Sequence, residues 1–200
     1  MEVREERGLE LLDAGASKVF CVADHQVGHI YFNDKSLLEQ VKSLLSNIDG
    51  IEEILDEKGK RDYHIDHDRS GDLVVVADKN SWFTYYYWLD DRKAPDFART
   101  VDIHRKPGYD PLEMLTDPLK SFMTIRVLAK ILKKKMGFRT LMDVIPLNAE
   151  LIKGSHGRIS QYKSDWPVLI YSDEDQRDDG EMEAVDVFGL IIDCLLNKPS

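Results

Sequence analysis

Six histidines are the residues best suited to chemistry in this chain: His25, His29, His64, His67, His104 and His156. The clearest context is that of His156, in the stretch Ile152-Lys-Gly-Ser-His156-Gly-Arg-Ile-Ser-Gln-Tyr-Lys-Ser-Asp-Trp-Pro167-Val-Leu-Ile-Tyr171. Gly154 and Gly157 allow positive φ on either side, so the imidazole can stand clear of the chain. That geometry suits a metal ligand, and it equally suits an ordinary polar loop. Asp24-His25 directly follows an apolar strand, and ligands often collect at strand ends in open α/β sheets. The competing reading is a polar pair that ends the strand. Asp62 to Asp68 and Asp102-Ile-His104 also combine carboxylate and imidazole, the ligand set of zinc and related metals. Neither shows a two-histidine helical spacing, and a polar loop before a strand accounts for the first. No Ser or Cys lies in a Gly-x-Ser-x-Gly context, Ser155 sits in a different motif, and no glycine loop of phosphate-cradling type is present. The aromatic run Trp82 to Trp88 suits a pocket for a base, or more simply a buried face.

The elements that must position these residues follow from periodicity. Lys18 to Ala23 and Val27 to Phe32 read as strands. Leu37, Leu38, Val41, Leu44, Leu45 and Ile48 recur at helical spacing after the turn Asn33 to Ser36, and Gly50 ends that helix. Ile51 to Leu55 is a short strand or a turn, and Lys58 to Asp66 is polar. Arg69 to Ala77 contains a clear strand, and Trp82 to Trp88 favours a second. Residues 16–89 thus form a small α/β layer. Residues 90–118 are loop-rich, an ordered excursion with Phe97, Val101, Ile103, Tyr109 and Leu112 to bury. Within it Arg92, Lys93, Arg99, Arg105 and Lys106 suit either an anionic substrate or carboxylates of the same loop. In residues 119–200, Leu119 to Met136 predicts an amphipathic helix stopped by Gly137. Val168 to Tyr171 predicts a strand, Ser172 to Gly180 an acidic loop, and Met182 to Leu196 a final helix. Gly8 to Gly15 reads as a short helical lead-in, and Met1 to Arg7 begins no recognisable element.

A net charge of -10 argues against a nucleic-acid polymer or an anionic membrane as the main partner. The basic cluster Lys130 to Lys135 is explained as a solvated helix end. Cys21 and Cys194 each lie in an apolar stretch and read as buried small hydrophobes, which favours a reducing, cytoplasmic setting. No run reaches the roughly 18 apolar residues of a membrane span, and no secretory signal is visible. The charged opening residues suggest a chain that starts inside a domain.

Three stretches in order resemble one family. Asp68-Arg-Ser-Gly-Asp-Leu-Val-Val-Val-Ala-Asp78 with Trp82, Gly154-Ser-His-Gly157 followed by Pro167 to Ile170, and Glu183 to Leu195 are similar to motifs of type I phosphodiesterase/nucleotide pyrophosphatase enzymes. These belong to the alkaline phosphatase superfamily. The resemblance implies the C-terminal part of an alkaline-phosphatase-like α/β fold. Residues 16–89 would be a cap-like layer and 119–200 the C-terminal part of the core. It further implies a hydrolase of small phosphate or phosphonate esters with two divalent metal ions, usually zinc, and a Thr or Ser nucleophile. His156 takes the position of the family's late histidine ligand. The family's Asp-x-x-x-His and Asp-His-Gly motifs are absent from this chain. Asp24-His25-Gln26 comes nearest to the second. However, the strand and helix after it look like the segment that follows Asp-His-Gly, which sets Asp24 and His25 beyond the metal pair, as alternative ligands only. The resemblance then assigns no catalytic residue to this chain and requires an upstream part of the same fold. The other reading is a binding or scaffolding relative that keeps the fold without the metals.

Overall fold

The computed structural model describes residues 1–170 and 180–196, in two compact units, residues 1–159 and 160–200. The first unit is mixed α/β and contains two antiparallel sheets. The smaller is a hairpin of β1 (Val3–Glu6) and β2 (Leu9–Leu12). Its two-residue loop, Arg7-Gly8, has positive φ at both positions, as a tight hairpin of twisted strands requires. This corrects two expectations: residues 1–7 do begin an element, and the lead-in after Gly8 is strand, not helix.

The larger sheet has the order β3-β4-β6-β5, from β3 (Val19–Asp24), β4 (Val27–Phe32), β5 (Ile51–Leu55) and β6 (Leu73–Ala77). Every neighbouring pair is antiparallel. All five β6 residues are buried because the strand is central and both sheet faces are covered. Leu73 and Val75 join Ile30 and Phe32 against Leu38, Val41 and Leu45 of helix α1 (Leu38–Leu45). Val74 and Val76 point the other way and meet Leu55, Tyr63 and Ile65. Asp34 starts the turn Lys35–Leu37 before α1 by accepting the Ser36 N–H. The polar stretch after β5 hides a short helix, α2 (Glu57–Asp62), because Asp56 accepts the N–H groups of Lys58 and Gly59.

The aromatic run Trp82 to Trp88 is not a strand. Both edges of the preceding strand β6 are already taken by β4 and β5. The run instead packs by ring contacts, with Tyr85 and Trp88 buried among Ala94, Phe97, Ala98 and Leu147. Burial at two residues three apart is not the alternation of a strand. In the loop that follows, Phe97 and Leu112 are buried, whereas Val101, Ile103 and Tyr109 stay exposed. Its cations pair mostly with nearby carboxylates: Arg92 with Asp90, Arg105 with Asp96, Lys93 with Glu5 and Glu10.

Helix α3 (Met123–Lys135) starts four residues later than its periodicity suggests. Phe122 before it is left-handed and makes no side-chain cap. In the second unit, Val168 to Ile170 are exposed and form no strand, and Tyr171 lies outside the described residues. Most of the acidic loop, residues 172–179, lies outside them too. The last helix is shorter than expected, α4 (Val187–Leu196), after a 3-10 turn at Ala184–Asp186. Cys21 is exposed and Cys194 partly so, both as free thiols, so neither fills the core as expected. No helix among the described residues is long and apolar enough to cross a membrane.

Candidate functional site

The site is built on the hairpin between β3 and β4. Asp24 pairs with Val27 across the ladder, leaving His25 and Gln26 as the two-residue loop. His25 takes φ 55°, a conformation that costs a non-glycine residue about 1 kcal/mol or more and that histidine tolerates better than most. The surroundings hold it there. The His25 carbonyl accepts the Phe83 N–H at 2.7 Å, and the Gln26 carbonyl accepts the Ala77 N–H at 2.8 Å. The Gln26 side-chain amide donates to the carbonyls of Asp78 and Ser81, each at 3.1 Å. The end of β6 and the residues after it therefore clasp the loop from one side.

From the other side comes the Gly154–Gly157 turn. The Gln26 N–H donates to the His156 carbonyl at 2.9 Å. Gly157 has φ +116°, and a Cβ there would stand 3.1 Å from Val27 Cγ2, so the turn needs glycine to lie this close to β4. The backbone contact brings the two imidazoles together. The His25 and His156 ring centroids are 3.9 Å apart with the planes tilted by 31°. His25 Nδ1 lies 3.1 Å from Ser155 Oγ, and no hydrogen bond to its Nε2 is made among the described residues. On its other side His25 meets Tyr109, with centroids 4.8 Å apart. His25 is buried, whereas Asp24 and His156 are exposed.

Burial holds the His25 pKa below its ordinary value, the nearby His156 imidazole adds to that, and the Asp24 carboxylate opposes it. The His25 ring is therefore neutral at neutral pH, the form that binds metals and accepts protons. Asp24, His25 and His156 are donors of the right type for zinc. They do not make a metal centre alone: among the described residues no three His, Cys, Asp or Glu side chains converge closely enough to hold an ion.

The motif order in sequence sets Asp24-His25 apart from His156, and the structure places His25 in ring contact with it. The remaining histidines are elsewhere. His29 Nδ1 accepts the Gly71 N–H from across the sheet and His67 Nδ1 accepts the Arg69 N–H two residues on, so both rings serve backbone groups. His64 lies in a turn after α2 with φ 55°, and His104 is exposed in the loop 90–118. Three members of the site went unassigned from sequence. Ser155 adjoins His156 and could have been paired with it on that ground. Gln26 and Tyr109 carry no local signal, since both act through residues far along the chain.

A family model described as type I phosphodiesterase / nucleotide pyrophosphatase matches residues 1–110, more than half of the chain. The matched span contains the Asp24-His25 hairpin and Tyr109 and ends before the Gly154–Gly157 turn. No curated protein and no solved structure shows significant similarity to the chain.

Proposed function

Since the chain belongs to the type I phosphodiesterase/nucleotide pyrophosphatase family, we propose that it contributes one wall of the active site of a metal-dependent phosphoester hydrolase. The substrates in this reading are small phosphodiesters, nucleotide pyrophosphates or related phosphate and phosphonate esters. The observation that carries it is the contact of His25 with His156 and with Ser155, the latter 130 residues away in the chain. A strained backbone, a buried neutral imidazole and a serine hydroxyl on its Nδ1 are an expensive arrangement for a loop without a task. The Ser155 hydroxyl fixes one ring nitrogen of His25, which leaves Nε2 for a ligand.

Two divalent ions, of which zinc fits the donor types best, would polarise the phosphoryl oxygens and activate a nucleophile in such an enzyme. His156, Asp24 and His25 are donors toward them, and the set is completed by residues of an upstream part of the same fold. The chain then supplies ligands and no nucleophile. The net charge of -10 fits a small ester better than a nucleic-acid polymer or a membrane surface. Two unpaired cysteines fit a cytoplasmic setting.

The test uses a longer reading frame that includes the coding sequence preceding Met1. It is expected to bind zinc and to hydrolyse a bis-nitrophenyl phosphate ester, while the 200-residue chain does neither well. His25→Ala and His156→Ala should each lower activity on the order of 100-fold. Unchanged zinc stoichiometry and turnover in both variants would overturn the assignment. A longer frame that folds but neither binds zinc nor hydrolyses the ester would identify a non-catalytic binding relative instead.

A further inference from the structure

We propose that Tyr109 is a positioning residue that holds the His25 imidazole against His156, and that the buried charges of Lys106, Asp110 and Glu113 lock Tyr109 in place. The first support is where the segment lies. β3 is an edge strand of its sheet, and the Gly108-Tyr109 segment runs along that free edge. Gly108 bridges Ala23 in parallel fashion, and the Tyr109 N–H donates to the Ala23 carbonyl at 2.9 Å. Gly108 has φ +136°, and a Cβ there would stand 2.4 Å from the Ala23 oxygen. Only glycine permits so close an approach, and the approach delivers the next residue, Tyr109, to the face of His25. The rings stack with an interplanar angle of 28°.

The second support is what brackets this segment. The Lys106 side chain is fully buried, with its ammonium 2.8 Å from Asp110 Oδ2 and 2.7 Å from Glu113 Oε1. Asp110 also accepts the Leu112 N–H at 3.1 Å and so starts the turn Pro111–Met114. One cation between two carboxylates in the interior is costly to desolvate, and such clusters are weak sources of net stability. What they do supply is a fixed geometry, since any shift leaves a buried charge unpaired. Lys106 stands three residues before Tyr109 and Asp110 directly after it, so the cluster fixes both ends of the approach to β3.

The Tyr109 hydroxyl makes no hydrogen bond among the described residues, so the role falls to the ring. His25 is 5 % exposed while Tyr109 is 44 % exposed, which makes Tyr109 the outer cover of the imidazole. Removing that cover should free His25 to leave His156.

The experiment is a histidine-selective proton–carbon NMR spectrum of the full 200-residue chain without metal or substrate. The wild type should show ring-current-shifted His25 signals and a cross-relaxation peak between the His25 and His156 rings. In Tyr109→Ala the His25 signals should move toward free-imidazole positions and the cross-peak should disappear, while Tyr109→Phe keeps both. Tyr109→Ala is a change at a half-exposed side chain, and a urea midpoint confirms that the variant folds. A folded Tyr109→Ala with unchanged His25 signals and cross-peak would overturn the proposal, as would a Tyr109→Phe that behaves like Tyr109→Ala. The inference draws its importance from the hydrolase reading, but this readout involves no turnover. Its failure would leave that reading standing, and an inactive longer frame would leave the ring contacts seen by NMR unaffected.

Discussion

Strand β6 and helix α3 carry equally clear apolar patterns in sequence and meet opposite fates. All five residues of β6 are buried. None of α3 is, and Ile125, Leu128 and Leu132 remain exposed on it. The difference lies in what surrounds each element. The sheet brings its own cover on both faces, from α1 on one side and from Tyr63 and Ile65 on the other. An apolar period states that a face can be covered and does not state by what. The histidine pair is attached to the covered region, through hydrogen bonds of the His25-Gln26 loop to Ala77, the last residue of β6, and to Asp78, Ser81 and Phe83 just beyond it. A strained residue such as His25 persists only where the surroundings over-determine it, so the covered region is where such a site can exist.

The contrast should be largest for lysine. Lys106→Ala leaves Asp110 and Glu113 buried without their cation. A loss of about 3–5 kcal/mol in unfolding free energy is expected from breaking such a group. Lys133→Ala, at the solvated end of α3, should change stability by less than about 0.5 kcal/mol. Urea midpoints measure both. Similar small effects in the two variants would mean that the interior of residues 85–113 is far softer than its burial indicates.

Leucine gives the next comparison. Leu73 is fully buried at the centre of the sheet, and Leu73→Ala should cost about 2–5 kcal/mol through lost contacts and a cavity. Leu128→Ala on α3 should cost only what helix propensity and an exposed methyl count for, under about 0.5 kcal/mol. A large loss at Leu128 would reveal that the helix face is covered in solution, and gel filtration of the two variants would then show whether a second copy covers it.

The same contrast explains which parts of the molecule were legible in sequence. β3, β4, β6 and α1 could be read because local pattern and tertiary role agree: alternate residues of β4 and β6 do face the α1 side. The Trp82–Trp88 run misled because strand propensity describes the side chains, whereas a strand also needs a free neighbouring edge. Val168 to Ile170 misled for a related reason: their side chains are apolar, but the described residues of the second unit contain no strand to pair with them. Helix α2 was hidden because its evidence is the Asp56 cap and not an apolar face. Of the site, His25 and His156 were visible one at a time, by residue type and glycine context. Their meeting was not, because it depends on a Gln26–His156 backbone bond that no local pattern announces.

The smallest effects concern helix starts, where the two regions differ by one cap. Asp56 accepts two N–H groups of α2 and pairs with Lys42 at 2.9 Å. The Lys42 hydrogen bond foremost, then the Gly59 N–H, hold its carboxyl down to about 2. The unfolded carboxyl titrates near 3.9, so the folded group is the stronger acid. Its contribution is present above about pH 4 and is lost as the pH falls through about 2. The pair is well exposed, so most of the effect belongs to the cap, about 1 kcal/mol for Asp56→Ala at neutral pH. The deficit of Asp56→Ala relative to wild type should therefore shrink in urea melts between about pH 5 and pH 2.5. Helix α3 begins instead at Phe122, with φ 56° and no side-chain cap. Phe122→Asn supplies a residue tolerant of that conformation, and should gain up to about 1 kcal/mol for the helix, with little dependence on pH. If Asp56→Ala shows a deficit that is flat across that range, its carboxylate is not the cap, and the two helix starts differ in packing instead of in charge.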